Sequence, residues 1–116
     1  MIHSVTARKP LIILDGEIKT PPFSATARIE AGVLLAKLQE GMTLSFPHAR
    51  PMPDIGKGCL ELRIKDKSAE WRLFCRVDKD AVLLLHVLSK KTREPPQTVI
   101  DLCMARLKAF DARMRE

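Results

Sequence analysis

The chain has 116 residues, with 20 Lys and Arg against 14 Asp and Glu, and a net charge of +6. This length fits one domain, so we predict a single domain over residues 1–116, and the basic excess favours an anionic partner, with nucleic acid first. Its three cysteines show no CxxC or Cys/His spacing, which excludes a secreted disulfide framework and a zinc motif. No apolar run approaches the roughly 20 residues of a membrane span, so we expect a cytoplasmic protein with no metal or other cofactor.

The first part of the chain predicts a strand followed by a helix. "KPLIILDGE" (Lys9–Glu17) is a short apolar run bounded by charge and Gly16, which is typical of a strand. Ser24 is a natural N-cap, and Gly41 supplies the left-handed position that ends a helix. The helix between them would pack through the apolar residues Ile29, Val33, Leu34 and Leu38.

A long loop is predicted over residues 42–58, "MTLSFPHARPMPDIGKG", which carry three prolines and two glycines. Loops of this length in compact domains are often functional. His48 lies in this loop, where it could reach a substrate as an acid or base, because histidine titrates near neutral pH. A lone loop histidine is more often simply solvated, and this alternative stays open.

A β-hairpin is predicted over Glu61–Asp78, where two alternating runs flank the polar break "KDKS". One set of side chains would face the core, namely Leu62, Ile64, Trp71, Leu73, Cys75 and Val77. The other set would face water, namely Arg63, Lys65, Arg72 and Arg76. A last strand, Ala81–Ser89, is apolar on both faces and should therefore be covered on both sides. On this strand, His86 is expected to pack or to form a hydrogen bond.

A final helix should begin after Pro95–Pro96, with an apolar stripe at Val99, Leu102, Cys103, Leu107, Phe110 and Met114. The element order is then β-α-loop-β-β-β-α. We predict an α+β fold, in which a small, mainly antiparallel sheet is packed by an N-terminal helix and a C-terminal helix. No glycine-rich phosphate loop and no Ser/His/Asp arrangement is supported by this order.

The hairpin contains an unfavourable pair, because an even loop places Arg63 directly opposite Arg72. Like charges opposite each other across two strands are destabilising. A bound phosphodiester would relieve the repulsion, since guanidinium groups on rigid strands bind phosphate in a preset geometry. Glu61 on the same face could hold one arginine when no ligand is present. The alternative is a basic face that serves only solubility.

Four segments resemble a known family in order and spacing: "ARIEAGVLLAKLQEG", "RPMPDIGKGCLELRIKD", "WRLFCRVD" and "LHVLSKKT". They are similar to the HigB-like toxins, the phage-derived branch of the RelE/ParE superfamily of type II toxins. The resemblance runs from about Lys9 to Phe110. Its most specific parts are the G-x-G-x-x-E-L-R run at Gly56–Arg63 and the K-K-T run at Lys90–Thr92.

The resemblance implies an endoribonuclease that cleaves messenger RNA, usually on the translating ribosome, without a metal. In such toxins the ribose 2′-hydroxyl attacks the neighbouring phosphate and leaves a 2′,3′-cyclic phosphate and a 5′-hydroxyl. It also implies a partner antitoxin, for this branch typically a helix-turn-helix protein (HigA-like). Arg63 and Arg72 would then bind the scissile phosphate, and Lys91 or Lys90 would transfer the proton, with His48 as an alternative. The residues expected to bind RNA are Arg76, Arg50, Lys65, His48 and Phe74.

Two departures from the family pattern concern aromatic residues. The chain has no tyrosine, and Leu88 replaces the usual phenylalanine of the last strand, so base stacking would have to come from Phe74 or Trp71. Two other functions remain open at this point. One is a ParE-like inhibitor of DNA gyrase, and the other is a nucleic-acid or antitoxin-binding module without catalysis.

Overall fold

The computed structural model describes residues 8–67, 69–90 and 95–115, with the side chain of Lys90 left out. The elements in chain order are β1 (Leu11–Ile13), α1 (Ala25–Gln39), β2 (Ala49–Pro51), β3 (Cys59–Lys65), β4 (Glu70–Val77), β5 (Val82–Lys90) and α2 (Gln97–Met114). They form one five-stranded sheet in the order β1-β5-β4-β3-β2, antiparallel except for the β1–β5 pair. Because α1 packs on one face and α2 on the other, the predicted fold class is confirmed.

Helix α1 begins and ends where its caps predict. The Ser24 Oγ accepts a hydrogen bond from the Ala27 backbone N–H at 3.1 Å, and Gly41 has a φ of +86° just after the helix. The predicted apolar face is only partly right, because Ile29 and Val33 are 60% and 47% exposed. The buried stripe follows helical spacing instead, at Ala27, Ala31, Leu34, Leu35 and Leu38.

The reason lies in helix geometry. Ile29 is two positions from both Ala27 and Ala31, about 200° around the helix axis. Once the two alanines and the leucines face the sheet, Ile29 must point away from it. The sequence was compatible with two overlapping apolar faces of this helix. In the structure, the face that includes Ala27 and Ala31 packs against the sheet.

The predicted loop over residues 42–58 is interrupted by a strand. β2 pairs antiparallel with β3, with Ala49 opposite Leu62 and Pro51 opposite Leu60. Proline cannot donate to a strand ladder and is tolerated only at edges, so its presence hid this edge strand in the sequence. The loop before β2, which carries Phe46 and His48, remains exposed at the surface.

The hairpin has the predicted register, with Arg63 opposite Arg72. Its first set of side chains packs against α1, as predicted, and Phe23 stacks on Trp71 with 4.1 Å between the ring centroids. Val77 is only partly buried. The tight contact between the two rings joins the segment before α1 to the middle of the sheet.

The opposite face of the sheet is only partly open to water: Lys65 is exposed as predicted, but Arg72 is buried, so the prediction is wrong for Arg72. Helix α2 covers much of this face, and the buried cluster there includes Phe74, Leu83, Leu85, Ile100, Cys103 and Leu107. β5 is therefore covered on both sides, as its continuous apolar run predicted. In α2, Val99, Cys103 and Leu107 are buried as predicted, whereas Leu102 and Met114 are exposed.

The first strand is shorter than predicted, since β1 spans only Leu11–Ile13. It pairs in parallel with β5, with Leu11 opposite Val82. The chain can return in parallel because α1 and the antiparallel strands lie between these two elements in sequence. None of the described helices is long and apolar enough to cross a membrane.

All three cysteines are free and buried. Burial raises the pKa of the Cys59 and Cys103 thiols to about 11, and it raises the pKa of the fully buried Cys75 thiol further. They fill space as small hydrophobic side chains, as their positions in strands and a helix predicted.

Asp66, in the turn between β3 and β4, accepts hydrogen bonds from the segment before α1, from β4 and from its own turn. Its Oδ2 accepts hydrogen bonds from the Ser24 backbone N–H at 2.9 Å and from Trp71 Nε1 at 3.0 Å. Its Oδ1 accepts one from the Lys67 backbone N–H at 2.8 Å. These donors, the Ser24 N–H first, lower the pKa of the Asp66 carboxyl well below its ordinary value of 3.8.

We expect Asp66→Asn to lower the urea midpoint of unfolding near neutral pH. A carboxyl whose pKa is lowered on folding stabilises the protein above its unfolded value, here 3.8, and this stabilisation is lost as the pH falls below it. The difference between wild type and Asp66→Asn should therefore shrink in acid. Urea titrations at several pH values measure it. A difference that stays constant from neutral to strongly acidic pH would contradict the role of this carboxylate.

Candidate functional site

The hairpin arginines surround one buried carboxylate. Glu61 is fully buried, and its Oε1 lies 3.0 Å from Arg63 Nε, 3.0 Å from Arg72 Nη1 and 3.5 Å from Arg50 Nη2. Arg72 also pairs with Glu70 through its second terminal nitrogen. Glu61 thus holds three arginines, where the sequence suggested one. The repulsion between Arg63 and Arg72 is relieved inside the protein by this shared carboxylate.

The three arginines differ in their access to solvent. The Arg72 side chain is only 5% exposed, whereas those of Arg63 and Arg50 are 25% and 19% exposed. The prediction that Arg72 faces water is therefore wrong, because strands, Glu61 and Glu70 enclose it. Arg63 is the member of the cluster best placed to meet a ligand. A direct phosphate contact by Arg72 stays a prediction and would need this enclosure to open.

A cleft of about 490 Å³ lies beside Arg63. Helix α1, the loop before β2 and the hairpin contribute its walls: Glu30, Pro47, His48, Arg63, Lys65 and Glu70. β2 begins at Ala49 opposite Leu62, so no β2 residue lies opposite the end of β3, and the cleft lies at this edge. The Arg63 backbone N–H donates to the His48 carbonyl at 2.9 Å, which fixes the loop against this strand end.

The structure brings together Arg63, Lys65 and His48, three residues that the sequence had singled out separately. Lys65 and His48 are exposed, so the ammonium and the imidazole are accessible to a ligand in the cleft. Their roles stay predictions. The arrangement combines a fixed guanidinium, a mobile ammonium and an imidazole, which suits an anionic ligand that takes part in proton transfer.

Phe46 was missed by the sequence reasoning. Its side chain is 63% exposed, and the Arg63 Cζ lies 5.7 Å from the centre of its ring, a cation–π contact. The available signal was an aromatic residue inside a proline-rich polar loop, "SFPHARP". Such a residue has no core of its own to join, which is a reason to consider it for binding.

Arg76 lies apart from this cleft. It is four residues from Arg72 along β4, about 13 Å at the usual rise of a strand. Its guanidinium pairs with Asp78 at 2.7 Å and with Asp111 at 2.7 Å, and these carboxylates, Asp111 first, raise its pKa. Arg76 instead lines a second groove beside α2 with Lys57, Lys108 and Arg115. RNA binding by Arg76 stays a prediction, but not as part of the Arg63 cleft.

The two aromatic residues expected to stack a base are inside the protein. Phe74 is fully buried beneath α2, and Trp71 is 8% exposed, stacked on Phe23 and hydrogen-bonded to Asp66. A nucleobase cannot reach either ring in this structure. The prediction of stacking by Phe74 or Trp71 is therefore wrong.

The two lysines predicted to transfer a proton lie at the end of β5, where the described residues stop. Lys90 ends β5, and its backbone lies opposite Glu70, the first residue of β4. Its side chain and the whole of Lys91 lie outside the described residues, as does Thr92. The register places this end of β5 beside Glu70, which lines the cleft, and proton transfer by either lysine stays a prediction.

His86 forms the polar contacts expected of it. Its Nδ1 lies 3.1 Å from Arg106 Nη1 and 3.4 Å from Asp15 Oδ2, on the side of the sheet that α2 covers. Among the described residues, no group of three or more His, Cys, Asp or Glu side chains is arranged to hold a metal ion.

Comparison with known proteins gives one match. The profile of the family described as "Phage derived protein Gp49-like" matches residues 21–108, which include α1, the cleft and most of α2. No curated protein matches the chain, and no solved structure matches it either. With more than half of its length matched, the chain belongs to the phage-derived Gp49-like family, a toxin-like family related to the RelE-type toxins.

Proposed function

We propose that this protein is the toxin of a type II toxin–antitoxin system, of the HigB-like kind, and that it cleaves messenger RNA on the translating ribosome without a metal. The observation that carries the proposal is the cleft in which Arg63, held from behind by Glu61, stands beside Lys65 and His48. Membership of the toxin-like family supports it. The proposed site of action is the cytoplasm, where translation takes place.

The chemistry requires little from the protein beyond position and charge. The 2′-oxygen of the RNA forms a bond to phosphorus, the bond to the 5′-oxygen breaks, and one proton leaves the 2′-hydroxyl while another reaches the 5′-oxygen. Arg63 would stabilise the negative charge that develops on the phosphate, and its fixed position on β3 means that it need not reorganise to do so. Lys65 would add a second positive charge at the mouth of the cleft.

Proton transfer needs a group that titrates near neutral pH. His48 is exposed on the cleft wall, and its imidazole can accept or donate a proton. Lys90 and Lys91 are the alternative proton-transfer groups that the family resemblance suggests. Glu61, Glu70 and Arg72 would act as positioning residues, because they set the orientation of Arg63 rather than meeting the RNA.

The experiment that tests the proposal is induction of the wild-type chain in a bacterial host, followed by mapping of transcript 5′ ends. We expect growth arrest and new ends that carry a 5′-hydroxyl. An Arg113→Ala variant, which removes an exposed charge on α2, serves as a control and should behave like wild type. Growth arrest with inhibited supercoiling but no new ends would replace this proposal with the ParE-like gyrase inhibitor.

A second candidate function has one observation in its favour. Arg72 is buried and paired with Glu61 and Glu70, and Arg63 is paired with Glu61, so both arginines have carboxylate partners without an RNA phosphate. A binding module that has lost catalysis would have the same arrangement. Such a protein would bind RNA or a helix-turn-helix (HigA-like) antitoxin, and its induction would yield neither growth arrest nor new 5′ ends.

A further inference from the structure

We infer that Phe46 is a nucleobase subsite, which stacks one unpaired base of the RNA while Arg63 holds a phosphate of the same strand. This inference rests on the proposed function and adds to it the group that receives a base. Phe74 and Trp71, the two aromatic residues that the sequence suggested for base stacking, are buried and cannot receive a base.

The first observation is exposure. The chain has four phenylalanines and one tryptophan, and all five lie in the described part of the structure. Phe23, Phe74 and Trp71 are at most 8% exposed, and Phe110, in α2, is partly buried against the core, whereas Phe46 is 63% exposed. Single exposed apolar residues are common on protein surfaces, so this observation establishes that the Phe46 ring is accessible to a ligand, and its surroundings must supply the function.

The second observation is the position of the ring next to a cation in the cleft. The Arg63 Cζ lies 5.7 Å from the ring centre, and Arg63 is also bonded to Glu61. Surfaces that bind single-stranded nucleic acid combine positive charges along the backbone with aromatic rings under the bases. Arg63 and Lys65 line the cleft, and Phe46 lies beside it against Arg63, so the three side chains present this combination on one surface.

The third observation concerns the rigidity of the loop. The backbone N–H groups of His48 and Ala49 both donate to the Ser45 carbonyl at 3.1 Å, so the chain around Phe46 forms a closed turn. The Arg63–His48 backbone hydrogen bond then anchors this turn to β3. A ring on an anchored turn loses little freedom when a base stacks on it, which favours binding.

An apolar side chain of a partner protein is the other conceivable occupant of the ring. The neighbouring walls favour a polar, charged strand such as RNA, because they carry a guanidinium, an ammonium and an imidazole from Arg63, Lys65 and His48 beside the carboxylates of Glu30 and Glu70. An apolar protein segment would have to desolvate these groups without offering them a partner.

The test measures binding of a short single-stranded RNA in which 2′-O-methyl groups remove the nucleophile. Phe46→Leu should weaken binding by about 5- to 150-fold, the range for loss of one stacked base. Phe46→Trp keeps an aromatic ring and should bind like wild type, and Ile29→Ala removes an exposed apolar side chain of α1 as a control. Circular dichroism and urea midpoints verify that each variant is folded.

An abasic scan of the same RNA distinguishes stacking from other effects. When the base that stacks is removed, wild type and Phe46→Leu should bind equally, whereas Arg63→Ala should still be weaker than both. Equal binding of wild type and Phe46→Leu to the intact RNA would overturn the inference alone. Absence of binding by wild type would also overturn the inference, whereas the mapping of transcript 5′ ends decides the proposed function separately. Normal RNA binding by Phe46→Leu combined with lost antitoxin neutralisation would assign the ring to a protein interface.

Discussion

A Glu61→Gln variant is expected to lose about 3–5 kcal/mol of folding free energy, because removal of one partner leaves buried charges without compensation. Glu61 is fully buried and its Oε1 is shared by Arg50, Arg63 and Arg72. Glutamine has nearly the same shape but no charge, so the change isolates electrostatics from packing. The loss is a large fraction of the roughly 5–15 kcal/mol that stabilises a domain, so the variant should unfold at a much lower urea concentration than wild type.

Urea denaturation followed by tryptophan fluorescence measures this loss, since Trp71 is buried on the same hairpin. Glu70→Gln is the matched control: it also removes one carboxylate from Arg72, but Glu70 is 32% exposed and water can replace it. We expect a much smaller loss for Glu70→Gln. If the two variants unfolded at the same urea concentration, Glu61 would not be the centre of the arginine cluster.

The second large effect is expected at Arg63. Arg63→Ala should lower the rate of RNA cleavage by about 10²–10³-fold, the usual cost of losing one charged or hydrogen-bonding group at a developing oxyanion. Its side chain is partly exposed, and Glu61 keeps Arg50 and Arg72 as partners, so the fold should persist. Cleavage of a ribosome-bound transcript by purified protein, measured over time, gives the rate directly.

Two further variants sharpen the test at Arg63. Arg63→Lys keeps a positive charge but loses the planar fork that matches a phosphate, so an intermediate rate is expected. Arg113→Ala removes a charge from the far end of α2 and should cleave like wild type. An Arg63→Ala variant that is folded and as active as wild type would remove Arg63 from the site. Arg72→Ala is less informative, because Arg72 is buried and its loss would impair fold and function together.

The hairpin was predictable because its alternation is a local property. Residues on the two strands keep a period of two on either side of a short polar turn, which sets both the pairing and the Arg63–Arg72 register. The caps of α1 were equally local, since Ser24 and Gly41 act within one turn of the helix. Features that depend on a few neighbouring residues could be read from the sequence.

The environment of the arginines was not local. Arg72 is enclosed by Glu61 and Glu70 from two different strands, and α2, which begins more than twenty residues farther along the chain, covers the same side of the sheet. The sequence showed that α2 had an apolar stripe but not where it would lie. For the same reason, the sequence did not predict the contact of three arginines with Glu61, or the short strand β2 that brings Arg50 to that carboxylate.

The binding role of Phe46 was obscured for a related reason. A single aromatic residue in a loop has no periodicity, so only the structure shows that it stands beside Arg63 rather than in a core. Conversely, Phe74 looked exposed because it alternates with arginines on β4, although α2 buries it completely.

Because the native cysteines are buried, a cysteine introduced at the cleft can be labelled selectively. The thiolate is the reactive form of cysteine, and at neutral pH the native thiols remain protonated because burial raises the pKa of Cys59 and Cys103 to about 11 and that of Cys75 further. A cysteine introduced in place of the exposed Lys65 would therefore react first with a thiol-directed reagent. A photo-crosslinker or a fluorophore can be attached at the mouth of the cleft without removing a native cysteine. The RNA or protein that enters the cleft could then be captured covalently and identified.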